Sequence, residues 1–307
     1  MWRVTSGIFL GWSLGANDAS NIFGTGVATG TVRYRTAIWL TALFVMAGAL
    51  VEGPKCMKTI GDLSRILPQE AFYCTLSAAI TMTILTYLAI PASASQCVVG
   101  ALLGAGILSG TADFSKLNKI IICWVFTPIT GLILGYILYR MTRFMITQRV
   151  KTFTSLNTIY VIGIILAGSY GAYSLGANNV ANVTGMYVSS GIFSMNTAAF
   201  IGGLSIAFGV VTYSKKVMIT IGKGIVPLDP LSALVSVLAE ALTLHVFTQV
   251  GVPVSSSQAI VGAVAGVGLV GGVRTLSVKI LSKIFIGWIL TPVASGILTF
   301  MVLLIQS

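Results

Sequence analysis

Two short stretches place hydrogen-bonding side chains where an apolar chain would otherwise continue. Gly15-Ala16-Asn17-Asp18-Ala19-Ser20-Asn21 and Gly176-Ala177-Asn178-Asn179-Val180-Ala181-Asn182 bring together five asparagine amides and one carboxylate. Each such group costs a few kcal/mol at the centre of a bilayer when unpaired, so these side chains must face a polar cavity or one another. Gly followed by Asn and Asp also predicts a break in the helix. Carbonyls freed at such a break, together with Asn and Asp oxygens, suit a hard monovalent cation such as sodium. The structural alternative is that the asparagines are hydrogen-bonding glue between helices. Asn17, Asp18, Asn21, Asn178, Asn179 and Asn182 form the candidate cation set, with Thr25, Thr184 and Glu240 as further candidates.

A second pair of stretches has different chemistry. Pro91-x-Ser93-x-Ser95-Gln96 and Pro253-x-Ser255-Ser256-Ser257-Gln258 each put a proline ahead of a run of hydroxyls. Proline ends an incoming helix and suits the first turn of the next, and the hydroxyls can cap free backbone N–H groups. A helix start with its partial positive charge would then lie at membrane depth and hold an anion. The alternative is a proline kink with serines bonded back to the backbone.

These motifs recur because the chain is a duplication. Ser13 to Gly30 and Ser174 to Gly191 are identical at 9 of 18 positions, and Pro91 to Gly110 matches Pro253 to Gly272 at 10 of 20. Smaller echoes, Thr59-Ile60-Gly61 with Thr220-Ile221-Gly222 and Trp124…Thr127-Pro128 with Trp288…Thr291-Pro292, keep the offset at 161 to 164. Apolar blocks fall near 5–30, 36–51, 71–90, 96–110 and 118–139, then 157–192, 196–213, 230–249, 256–272 and 280–305. This predicts an all-α polytopic membrane protein made of two repeats of about five hydrophobic segments, with broken helices or re-entrant hairpins at the midplane. Repeat 1 covers 1–139, a basic linker 140–151, and repeat 2 covers 152–307. Five segments per repeat is odd, so the second copy enters from the opposite side, giving inverted topology. Loop cations divide six to twelve between the two sides. The richer side, which includes the linker, is expected to be cytoplasmic and both termini extracytoplasmic.

Composition agrees with a chain that lives in the bilayer: 307 residues, 56% apolar, 8% charged, mean hydropathy +0.96. There is no room for a large soluble catalytic domain. The net charge of +11 sits in short loops, where it reads as topology signal and lipid-headgroup contact rather than nucleic-acid binding. Cys56, Cys74, Cys97 and Cys123 are too far apart for a metal or redox pair and read as buried apolar residues. The Met1 to Ala16 stretch resembles a leader, but its pattern recurs in mid-chain. Gly11-Trp12-Ser13-Leu14-Gly15 fits a nucleophile pattern, yet it lies in an apolar helix and the chain's one histidine is the distant His245. No phosphate loop and no zinc-protease motif occurs. His245 is expected to be satisfied within the bundle. Glu52, Asp62, Glu70 and Asp113 are expected to pair with solvent or neighbouring loop charges.

The duplicated G-A-N-[DN]-x-x-N with the duplicated P-x-S-x-S-Q resembles the PiT family of inorganic phosphate transporters over essentially the whole chain. The resemblance implies cation-coupled phosphate uptake across the plasma (inner) membrane, in sodium-coupled and proton- or metal-phosphate-coupled versions, often as a homodimer; some relatives carry sulfate. This chain departs from the family pattern at Asn179, where Asp is usual, and at Gln96 and Gln258, where His is common. Val45 and Val237 stand near positions where the family has membrane glutamates, and Glu240 could replace one. The reading is a secondary transporter, with sodium ions as co-substrate and no covalent cofactor. Ser93, Ser95, Gln96, Ser255, Ser256, Ser257 and Gln258 would hold phosphate, and the asparagine motifs sodium. An ion channel is the rival reading, and an enzyme lacks a nucleophile with its base.

Overall fold

The computed structural model describes residues 2–63, 66–88, 92–150, 152–224, 229–271 and 278–306. Pro91, Arg65, Lys151 and Arg274 lie outside the described residues, as do the side chains of Lys216, Lys223, Lys279 and Lys283. After a short 3-10 turn at Trp2–Val4 come α1 (Thr5–Ala28), α2 (Tyr34–Glu52), α3 (Pro54–Gly61), α4 (Pro68–Tyr87), α5 (Ala94–Ser109) and α6 (Phe114–Arg149). Then follow α7 (Phe153–Ser189), α8 (Met195–Gly224), α9 (Pro230–Val250), α10 (Ser256–Gly271) and α11 (Val278–Gln306). No strand occurs among the described residues. By length and composition six stretches can cross a membrane, within α2, α6, α7, α8, α9 and α11. At 16 residues each, α5 and α10 rise only about 24 Å and are short of the roughly 30 Å of hydrocarbon. They form hairpins with α4 and α9.

The helix starts follow from local chemistry. Pro54, Pro68 and Pro230 stand in first turns, where a missing N–H leaves no bond unmade. Asp113 caps α6 by accepting from the N–H groups of Ser115 and Lys116, and Asp229 caps α9 through Ser232. Pro54 also separates α3 from α2, a division absent from the sequence-based segments. In the second repeat the corresponding stretch runs on as the single helix α8.

The two repeats exchange partners. A Cβ placed on Gly15 of α1 would lie 2.0 Å from the Ile206 carbonyl of α8, and one on Gly176 of α7 would lie 2.1 Å from the Val45 carbonyl of α2. These are the same contact with the repeats swapped. Likewise Gly100 meets the Pro292 carbonyl of α11, and Gly262 the Pro128 carbonyl of α6, both at 2.1 Å. Each small-residue seam therefore joins a helix of one repeat to a helix of the other at backbone contact, which no larger residue allows.

One expectation is corrected. The Gly-Ala-Asn motifs do not break their helices: α1 and α7 run unbroken through Asn17–Asn21 and Asn178–Asn182. Each motif glycine is pressed against a carbonyl of a neighbouring helix, so tight packing outweighs its helix-breaking tendency of about 1 kcal/mol. Most of the 140–151 linker is also helix. Arg140 to Arg149 continue α6, whose ending contains no glycine or proline, and the chain leaves the helix only at Val150.

Candidate functional site

Both asparagine motifs are buried. Asn17, Asp18, Asn21, Asn178, Asn179 and Asn182 are each at most 1% exposed, and Ser93, Ser95, Ser255, Ser256 and Ser257 at most 2%. What puts them there is the crossing of repeats. The Asn21 amide of α1 donates to the Ser256 hydroxyl of α10 at 3.1 Å, and the Asn182 amide of α7 donates to the Ser95 hydroxyl of α5 at 2.9 Å. The first motif of each repeat thus meets the serine motif of the other. Ser95 in turn donates to the Val254 carbonyl at 2.9 Å, tying the two serine motifs together.

The serine motifs act as helix caps. Ser93 accepts from the Gln96 N–H at 3.3 Å and Ser255 from the Gln258 N–H at 3.2 Å. Ser255 and Ser257 hydroxyls lie 2.9 Å apart. Two helix starts, those of α5 and α10, therefore lie within the buried polar zone, with first-turn N–H groups available to an anion.

The first asparagine of each motif holds a hairpin. Asn17 donates to Thr86 at 2.8 Å and Asn178 to Thr248 at 3.1 Å, and each threonine bonds back to the carbonyl four residues before it. Asn178 also donates to the Val252 carbonyl at 3.2 Å and accepts from the Val254 N–H at 2.8 Å. Its amide is engaged at both ends with the turn that leads into Ser255. Gly251, at φ 75°, ends α9 there in the left-handed conformation glycine tolerates, and its carbonyl receives the Thr59 hydroxyl. Thr86 and Thr248 were not among the residues singled out in the sequence. Their shared offset of 162, each shortly before a serine motif, was the available signal.

Asp18 departs from the symmetry, since its counterpart is Asn179. Ser256 departs too, since its counterpart is Ala94. The two are hydrogen-bonded to each other, so Ser256 links Asn21 to the Asp18 carboxylate. Several buried oxygens of the motifs have no protein partner: Oδ1 of Asn17, Asp18 and Asn182, and Oε1 of Gln96 and Gln258. Glu240 of α9 is fully buried with both carboxylate oxygens unpartnered, within electrostatic reach of Asp18. Unpaired oxygens from carboxylates and amides form a donor set for a hard cation, and a bound ion would relieve their desolvation. Thr184 is used structurally, donating to the Val180 and Ala198 carbonyls, whereas the buried Thr25 hydroxyl has no partner.

The remaining acids and His245 stand apart. Glu52 is only 16% exposed and pairs with Lys55 at 3.0 Å, with Gln249, and with His245 Nε2 at 3.4 Å. This makes it an inter-repeat contact rather than a solvated charge. His245 Nδ1 lies 2.7 Å from the Tyr170 hydroxyl, which satisfies the ring within the bundle. Glu70 accepts from the Leu67 N–H, and Lys116 lies 3.5 Å from Asp113 and donates to the Asp62 carbonyl.

The chain is similar to known transporters in sequence and in fold. The model of the phosphate transporter family matches residues 14–299. A candidate phosphate permease of Methanocaldococcus jannaschii is 29% identical over 294 residues, covering 96% of this chain and 93% of that protein. The sulfate permease of Bacillus subtilis is 27% identical over 296 residues, covering 94% and 82%. Among solved structures, a sodium-dependent phosphate transporter superposes with TM-score 0.82 at 22% identity, covering 99% of this chain and 98% of that one.

Proposed function

We propose that this chain, which belongs to the phosphate transporter family, takes up inorganic phosphate together with sodium by alternating access between its two repeats. The observation that carries the reading is the crossed pairing of motifs. Asn21 with Ser256 and Asn182 with Ser95 bring two capped helix starts into one buried zone, whose motifs carry buried oxygens without a protein partner. The helix starts, with the hydroxyls of Ser93, Ser95, Ser255, Ser256 and Ser257 and the amides of Gln96 and Gln258, bind the anion. Asp18, Asn17, Asn21, Asn179 and Asn182 supply cation ligands, with Glu240 as a second carboxylate. Asn178 acts through the turn it holds. A phosphate dianion cannot enter low dielectric alone, and bound sodium neutralises it so that the loaded site can be closed on one side and opened on the other. Sodium suits this set of carboxylate, amide and hydroxyl oxygens by their hardness.

Sulfate is the second reading. The sulfate permease is nearly as similar to this chain as the phosphate permease, and hydroxyls with backbone N–H groups accept either tetrahedral anion. Replacing Ser93 and Ser255 singly by alanine removes one cap each, a loss of about 1 kcal/mol. Phosphate affinity, measured by binding to purified protein that still elutes as a folded species, should fall several-fold in both variants. Unchanged affinity in both would remove the serine motifs from the anion site.

A further inference from the structure

A polar cleft lies well away from the buried motifs, at the far ends of α6 and α10. Its volume is about 520 Å³, and α6 contributes Tyr136, Arg140, Arg143, Phe144 and Thr147 while α10 contributes Leu269 and Val270. Of these, Tyr136, Arg140, Arg143 and Thr147 are spaced by four, three and four, so they form one stripe along the helix. A neighbouring stripe, Tyr139 and Ile146, packs on Leu231, Val235 and Val267 and holds this end of the helix in place. Phe144, which lines the cleft, and Met141 and Met145 beside it are exposed apolar residues, each more than half accessible. This end of α6 is therefore part basic, part anchored and part lipid-facing.

Its depth follows from the sequence. Ile120 to Tyr139 is an uninterrupted run of 20 uncharged residues between Lys119 and Arg140. It rises about 30 Å, the thickness of the hydrocarbon, so Arg140 falls at the headgroup level. The arginines are not neutralised by sequence neighbours, since 140–151 contains no acid. The Arg140 guanidinium donates to the Tyr136 hydroxyl at 3.0 Å and stands 5.7 Å from the centre of that ring. That fixes the group while leaving most of its five N–H donors free for an external acceptor.

The other repeat supplies an internal comparison. A groove between α5 and α11 shares two of these positions, Ile107 and Phe300 standing where the cleft has Leu269 and Tyr136, and the residues that line it are uncharged. At the offset of 164, Tyr136 corresponds to Phe300, Arg140 to Leu304 and Arg143 to Ser307. The packing of these helix pairs therefore does not require arginine.

We propose that this cleft binds the phosphate group of an anionic phospholipid, with Arg140 and Arg143 on the headgroup, Leu269 and Val270 along its glycerol end, and the acyl chains against the apolar side of α6. An occupant of this kind combines the two chemistries present, a bidentate phosphate grip and adjoining lipid-facing surface. It would bridge α6 to α10, the helix whose first turn carries Ser256 and Ser257.

Native mass spectrometry of the delipidated full-length protein tests this, with phosphatidylglycerol and phosphatidylcholine added in separate titrations. The wild type should retain phosphatidylglycerol in preference to phosphatidylcholine. The double variant Arg140→Gln/Arg143→Gln should lose that preference, its affinity for phosphatidylglycerol falling about tenfold or more. Arg140→Lys/Arg143→Lys should keep part of it. Arg33→Gln/Arg35→Gln, which removes the same charge elsewhere, should behave as wild type. Millimolar inorganic phosphate, the other source of the same group, should leave lipid retention unchanged, because it lacks the acyl chains. Equal retention of both lipids, equal loss in the Arg33/Arg35 control, or displacement of the lipid by free phosphate would each overturn the proposal.

Discussion

Asp18→Asn should raise the sodium concentration needed for half-maximal phosphate uptake by at least tenfold, the equivalent of about 1.4 kcal/mol. It should also make uptake less steeply dependent on sodium. Asp18 is 1% exposed, its Oδ1 has no protein partner, and its carboxylate is hydrogen-bonded to the Ser256 hydroxyl. A buried carboxylate in that condition is unfavourable without a cation and becomes a strong ligand with one. Asparagine keeps the shape and an acceptor oxygen but removes the charge, so folded protein should be recovered at wild-type levels. Uptake measured in vesicles over a sodium series reads both parameters. Wild-type sodium dependence in this variant would assign the carboxylate to packing.

Asn178→Ala should weaken phosphate binding about tenfold without changing the steepness of the sodium dependence. Removing this amide strips the Val254 N–H of its partner and unties Val252 and Thr248 at once. An unsatisfied buried donor costs about 1 to 3 kcal/mol, so the turn ahead of Ser255 should shift and misplace the α10 helix start. Binding isotherms for phosphate at fixed saturating sodium, with a sodium series beside them, separate this positioning role from a ligand role. A selective loss of sodium affinity would show that Asn178 coordinates the cation directly.

The contrast between Asp18 and Asn178 shows what the sequence discloses and what it conceals. The duplication, the buried polar motifs and the helical membrane architecture are legible because each leaves a local signature: repeated residues, amides inside apolar runs, prolines followed by hydroxyls. The role of Asn178 is not legible, because it depends on where α9 ends relative to α7, a long-range arrangement. The helix break expected at Gly15 and Gly176 is wrong for a related reason. Propensity favours a break, but a break would expose carbonyls without water, and close approach to the Ile206 and Val45 carbonyls gives the glycines a packing role instead. The pairing of Asp18 with Ser256 was recoverable in principle, since both are departures from the repeat. Only the crossing of α1 with α10 shows that the two departures meet.

Counterflow in proteoliposomes containing the purified wild-type protein bears most directly on the central claim. Vesicles loaded with unlabelled phosphate should accumulate labelled external phosphate transiently, saturably and only with sodium present, and an inward sodium gradient should drive net accumulation. Exchange of sulfate in preference to phosphate, sodium-independent exchange, or flux that never saturates would contradict it.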